Sequence, residues 1–275
     1  GRLLATLFFT GVLGIGYEVL TVRILSQVLE NTIFSYAILL SIYLLGTAGG
    51  AAVYQGRLAK RPFAPTLSTL LVAQVSSCAI AMWLLHFSTE IYAVLGRWDM
   101  RTGEIGLAAV VFFPPTLVMG ALFSHLAQNV KVNTGALGIA LTVNTLGAAL
   151  APFLFGILLL PACGPAAALF AVVAGYALLL PDIHRTIPWP VIGCLAVAGL
   201  LLTRADAFDF NRLAPGEQAV VHRHGIMADV TVVKDARNDF HLKVNNHYQM
   251  GGTASRYSDQ RQAYIPLMLH PNPKS

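Results

Sequence analysis

A break near Thr203 constrains this chain more than any other feature. The first 203 residues carry 15 Asp, Glu, Lys and Arg side chains, and the last 72 carry 16. A charge at the centre of a bilayer costs at least ~2.5–3.5 kcal/mol, so the charge-poor part reads as a set of membrane spans. The charged remainder reads as a water-soluble, β-rich segment. A hydrophobic content of 56% and a mean hydropathy of +0.64 exceed what an ordinary soluble domain carries.

Seven apolar windows approach the ~20 residues that cross a bilayer: 3–22, 33–54, 66–86, 105–127, 135–160, 163–181 and 187–203. The expected fold is therefore mainly α. A polytopic helical membrane bundle of about seven spans covers 1–203, and a small β-rich domain with a short helix covers 204–275. Short connections make successive helices antiparallel neighbours. Small residues that let helices approach closely recur at Gly11, Gly14 and Gly16, at Gly46, Gly49 and Gly50, and at Gly135 and Gly138. Pro114-Pro115 falls inside the fourth window and is expected to kink or break it. No internal repeat, heptad run or low-complexity segment is evident. Residues 3–22 do not read as a signal peptide, because no small-residue cleavage site follows. The chain starts at Gly1 and ends at Lys274-Ser275, and it is read as a piece of a longer protein.

A net charge of +5 without a long Lys/Arg run argues against nucleic acid as a partner; the expected partner is the lipid bilayer. Arg57, Lys60 and Arg61 beside an apolar run mark a cytoplasmic loop, with Lys131 and Arg185 on the same side. That assignment puts the tail outside, whereas Arg97 and Arg101, taken as the inner side, reverse it. Cys78, Cys163 and Cys194 are odd in number, lack CxxC spacing and lie in apolar segments, so they read as small buried hydrophobes rather than a disulfide framework or zinc site.

In the tail, residues 229–235 are β-branched and end in a polar turn, and Phe240, Leu242 and Val244 alternate with polar residues as in a half-buried strand. Asn245-Asn246 tolerates positive φ and so closes a tight hairpin into residues 247–250. Ser258 to Leu269 reads as a helix with Asp259 near its start, stopped by Pro271.

Few polar residues lie in the spans. Glu18, an intramembrane carboxylate, is a functional candidate by default; the alternative is a structural ion pair, with Arg23 as partner. Asn144 and Gln74 read as interhelical hydrogen-bond partners, and His125 as an interfacial residue. His222, His224, His241 and His247 do not repeat along one helix face and in strands are expected to point in different directions, so no metal is expected.

Two stretches carry a resemblance. Tyr248-Gln-Met-Gly-Gly, followed by Ser258-Asp-Gln-Arg-Gln-Ala-Tyr-Ile-Pro-Leu-Met-Leu-His-Pro-Asn-Pro-Lys274, resembles the small N-terminal β-domain of spermidine synthases (polyamine aminopropyltransferases). Gly14-x-x-Tyr17-Glu18-x-x-x-x-Arg23, Asn31-Thr32, Pro115-Thr-Leu-Val-Met-Gly120 and Asn144-Thr-Leu-Gly147 look like the spans of bacterial proteins that fuse a transporter-like membrane region to such a domain. The resemblance implies transfer of an aminopropyl group from decarboxylated S-adenosylmethionine, a co-substrate, to a polyamine, with no further cofactor. It implies that Gln249 contacts the donor and that Tyr248 and Asp259 serve the amine. It places the chain in a bacterial inner membrane, and the Rossmann-type catalytic domain beyond Ser275, so that no catalytic residue lies in this stretch. A homo-oligomer or a larger membrane complex is a further implied partner. There are departures: Asn245-Asn246 stands where the family has Asp-Gly, Ala254 and Ser255 where it has acids, Ser258 where it has Tyr, and Asp259 where it has Gln. Two other readings stand beside the enzyme: a non-catalytic subunit of a membrane complex, and a transporter with a regulatory tail.

Overall fold

The computed structural model describes residues 2–97, 99–134, 137–181, 188–204, 207–211, 213–246 and 248–271, with only the backbone at 133–134 and 248–250. The chain divides into two compact units, Gly1–Asp209 and Phe210–Ser275, a few residues past the boundary read from the charge break.

The first unit is helical: α1 (Arg2–Leu25), α2 (Ile33–Val53), α3 (Phe63–His86), α4 (Ser88–Leu95), α5 (Met100–Thr134), α6 (Leu137–Ala151), α7 (Leu160–Leu178) and α8 (Trp189–Leu200). The turn into α2 is built from local chemistry. Asn31 takes φ 57°, which its short amide tolerates. Thr32 Oγ1 then accepts from Ser35 N at 3.2 Å while Ser35 Oγ accepts from Thr32 N at 3.3 Å, satisfying two helix-end donors reciprocally. The outer surface of the bundle is as oily as its interior: Leu44, Leu45, Ile80, Leu146, Leu150 and Phe153 are all exposed. Water penalises such a surface; a bilayer does not.

Five stretches are long and apolar enough to cross a membrane: Arg2–Leu25, Ile33–Leu58, Phe63–His86, Met100–Val132 and Leu137–Leu178. The seven expected windows are thus not all matched. Trp189–Thr203 is shorter, and the sixth window continues from the fifth. As a straight rod Leu137–Leu178 would be about 63 Å long, about twice the hydrocarbon core. It is not straight, because Gly164 has φ 78° and ψ 170°, a backbone state open to glycine, with Pro165 next. The chain reverses there. α6 runs parallel to α1, since Phe8 meets Gly147 and Gly16 meets Phe155. α7 runs antiparallel to α1, since Leu13 meets Gly175 and Arg2 reaches the Pro181 carbonyl at 2.6 Å.

The same logic exposes a repeat that the sequence does not show. α2 is parallel to α5: Ser35 meets Glu104, Gly46 meets Thr116, Gly50 meets Ala121 and Tyr54 meets His125. α3 is antiparallel to α5, because Phe63 sits on His125 while Tyr92 and Leu95, just beyond α3, sit on Gly103 and Gly106. α1 is antiparallel to α5, with Tyr17 at Val111 and Gly14 at Met119. Exchanging α1, α2 and α3 for α5, α6 and α7 therefore reproduces every one of these relations with all directions reversed. Even the π-helical turns correspond, Tyr54–Leu58 after α2 and Pro152–Leu159 after α6. This is an inverted three-helix repeat. Spans drawn from so few residue types share only small-residue positions, so their kinship lies in packing rather than in legible sequence.

Of the kink or break expected at Pro114-Pro115, the break does not occur: α5 runs through both prolines. Pro115 has no N–H for the Val111 carbonyl. The Tyr17 hydroxyl donates to that carbonyl instead, at 2.8 Å and fully buried. A partner from a neighbouring helix is what lets proline persist inside a span. The cysteines need correction as well, since Cys78 is buried but Cys163 is exposed and Cys194 half-buried.

The second unit is an antiparallel meander in the order β1-β2-β3-β4, formed by Gln218–His224, Asp229–Lys234, Phe240–Val244 and Tyr248–Gly252, followed by α9 (Arg256–Leu269). β2 alternates strictly, burying Asp229, Thr231 and Val233, the period of a strand with one covered face. Asn245 and Asn246 have φ 48° and 63° and form the β3–β4 turn, as their side chains allow. Glu217 accepts from Lys243 Nζ at 2.8 Å and from the Ala214 N–H at 2.9 Å. The Lys243 hydrogen bond, with that N–H, holds its carboxyl below the usual range.

Candidate functional site

Each unit holds a cavity with polar side chains in its walls. In the helical unit, a cavity of about 610 Å³ opens between α1, α2, α5 and α6, with α7 contributing one side chain. It therefore lies where the two halves of the inverted repeat meet. Its walls are mostly apolar, with Thr10, Tyr43, Thr47, Ser124, Asn144 and Tyr176 supplying polar atoms. Small residues let the helices around it approach closely: a Cβ on Gly11, Gly46, Gly50, Gly120 or Gly147 would collide with the facing helix. Asn144 Nδ2 donates to the Leu7 carbonyl at 3.0 Å, the interhelical bond its position suggests.

Glu18 follows Gly14 and Ile15 by one turn on the α1 face that lines this cavity, and is close enough to Tyr43 to act on it electrostatically. It is half-buried, and among the described residues its carboxylate has neither a hydrogen bond nor an ion pair. Among the described residues no ion pair joins it to Arg23, which has an interaction of its own. Gln74 is not an interhelical partner either, since its Nε2 donates to Cys78 Sγ at 3.1 Å within α3. His125 is buried rather than interfacial. It stacks on Phe63, and its Nε2 donates to the Phe63 carbonyl, 3.1 Å away.

In the second unit, a cavity of about 310 Å³ lies beside β3, β4 and the start of α9. Three carboxylates line it: Asp235 and Asp239 from the β2–β3 turn and Asp259 from α9, with His241 and Ser255 between them. Asp235 Oδ1 accepts from the Arg237 and Asp239 N–H groups at 2.8 and 2.9 Å. Asp239 Oδ1 accepts from Thr253 Oγ1 at 2.7 Å, and Asp259 Oδ2 accepts from Ser255 Oγ at 2.7 Å. Turn geometry thus fixes all three, leaving acceptor capacity for a cationic ligand. Asp259 was legible as a candidate. Asp235 and Asp239 read only as turn residues, and the pairing of β2 with β3 is what carries them to the site. Tyr248 and Gln249 stand in β4, paired with Val244 and Lys243; their side chains lie outside the described residues.

His222 and His224 do not diverge as expected. They are two apart in β1 and share a face, with ring centroids 4.6 Å apart. No protein-family profile, curated protein or solved structure matches this chain.

Proposed function

We propose that the chain is a membrane-embedded protein whose tail is the opening β-layer of an aminopropyltransferase-like enzyme, acting on a polyamine with decarboxylated S-adenosylmethionine as donor. The observation that carries this reading is the acid-lined cavity beside β3, β4 and α9. A protonated diamine is a dication, and carboxylates recognise it through charge-assisted hydrogen bonds. Asp235, Asp239 and Asp259 supply in this tail the acidity that Ala254 and Ser255 lack. The hairpin turn at Asn245-Asn246, with Gln249 in the strand that follows, supports the donor side. The membrane is the inner membrane of a bacterium, crossed about seven times if α7 and α8 span with their flanking residues. A longer protein that includes the following domain is expected to form aminopropyl adducts with one or more amines. Gln249→Ala is expected to raise the KM for the donor. If the longer protein forms no adduct with any amine, the enzyme reading falls.

A second reading, transport, is favoured by a different observation: the inverted repeat enclosing a cavity beside Glu18, a carboxylate without a partner among the described residues. Transporters built from inverted repeats bind substrate at the repeat interface. On this reading Glu18→Gln in proteoliposomes removes uptake of labelled amines, whereas uptake at the wild-type rate excludes Glu18 from the pathway. A non-catalytic subunit role gains if both assays are blank.

A further inference from the structure

We propose that His222, His224 and Asp229 form a site for a divalent transition metal, best suited to Zn(II). The ladder between β1 and β2 sets His224 opposite Asp229 and His222 opposite Thr231. Directly opposed residues share a sheet face, so both imidazoles and the carboxylate converge. One ligand atom from each of the three lies within 4.8 Å of the others, and His224 Nδ1 is already 2.8 Å from Asp229 Oδ1. A tetrahedral ion with bonds of ~2.0–2.1 Å holds its ligand atoms about 3.4 Å apart. Side-chain rotation of about an ångström closes the set without moving the strands.

The backbone that carries these ligands is fixed. The β1–β2 turn closes beside them, with Gly225 N donating to the Ala228 carbonyl at 3.0 Å. Asp229 is clamped from the β3–β4 turn: its N–H donates to Asn245 Oδ1 at 2.9 Å and its carbonyl accepts from Asn245 N at 2.8 Å. Asp229 is buried and the histidines half-buried, so the carboxylate's charge is poorly screened by water. Lys243, the cation facing Thr231 from β3, is paired with Glu217 at 2.8 Å.

The donor set selects the metal class. Two imidazoles and one carboxylate suit Zn(II) and its first-row neighbours, whereas magnesium and calcium prefer all-oxygen sites and copper(I) prefers sulfur. Three protein ligands leave a position for water, the arrangement of an open zinc site.

The test uses the untagged full chain in detergent, stripped with chelator and titrated with Zn(II), and with Co(II) as a visible probe. Expected are one bound equivalent, a rise in thermal midpoint on adding Zn(II), and the Co(II) spectrum of a four- or five-coordinate ion. His222→Gln and His224→Gln each weaken binding about tenfold or more, while His241→Gln on the same sheet leaves it unchanged. Asp229→Asn is expected to behave like the histidine variants; because it alters a buried clamp, the histidine variants decide the matter. Absence of stoichiometric binding, or wild-type affinity in the His222→Gln/His224→Gln double variant, overturns the site.

Discussion

Replacing Gly50 by leucine is expected to lower the stability of the bundle by about 3 kcal/mol or more. α2 and α5 run side by side, and a Cβ on Gly50 would fall inside contact distance of the Leu117 carbonyl and of Ala121 N. Those are main-chain atoms of a helix that cannot step aside without loosening its other contacts. Within a bilayer there is little hydrophobic gain to offset a lost fit, because lipid tails are as apolar as the displaced side chains; close packing of small residues is the main source of association. Gly193 provides the comparison: nothing lies within 4 Å of its Cβ position, so Gly193→Ala is expected to be neutral or to stabilise α8 by up to about 1 kcal/mol. Thermal unfolding in one detergent measures both. Equal midpoints for the two variants would refute the parallel α2–α5 contact, and with it the repeat.

A second large effect is expected at Glu104. Glu104 is 4% exposed, and its Oε1 accepts from Ser35 Oγ at 2.6 Å and from Glu30 N at 3.1 Å. It therefore ties the start of α5 to the loop that launches α2, and its negative charge lies beside the positive end of the α2 dipole. Glu104→Ala strands the buried Ser35 hydroxyl and removes the acceptor of the part-buried Glu30 N–H. Hydrogen bonds to a charged group contribute ~1.5–3 kcal/mol each, so a loss of about 3 kcal/mol is expected. Glu104→Gln keeps an acceptor oxygen and is expected to cost roughly half as much. If the two variants unfold at the same midpoint, the carboxylate does not hold the loop.

How much of this was visible beforehand depends on the range over which each feature is specified. Asn245-Asn246 was legible as a turn because positive φ is a property of the residue itself. β2 was legible from its β-branched run and β3 from the alternation of Phe240, Leu242 and Val244 with polar residues. The oily half was legible because a charge count needs no partner. At Pro114-Pro115 the sequence left kink and break open, since whether proline breaks a helix depends on what reaches the freed carbonyl, and Tyr17 lies far away in sequence. Glu104 was passed over because its value comes from Ser35 and Glu30, brought to it only when α2 lies along α5. The same holds for Asp235 and Asp239, ordinary turn residues until β4 and α9 close beside them, and for His222 and His224, whose common face follows from their strand.

Composition and local propensity by themselves determined that one part of this chain is a set of apolar helices and the other a small antiparallel sheet. They did so because burial preference and backbone preference act residue by residue. Only the tertiary structure decided that Gly164 folds the last long apolar stretch back, that two triplets of helices form an inverted pair, and that scattered acids and histidines converge. Those outcomes rest on the close approach of residues distant in sequence, where the fit between two surfaces, rather than the chemistry of either, sets the free energy.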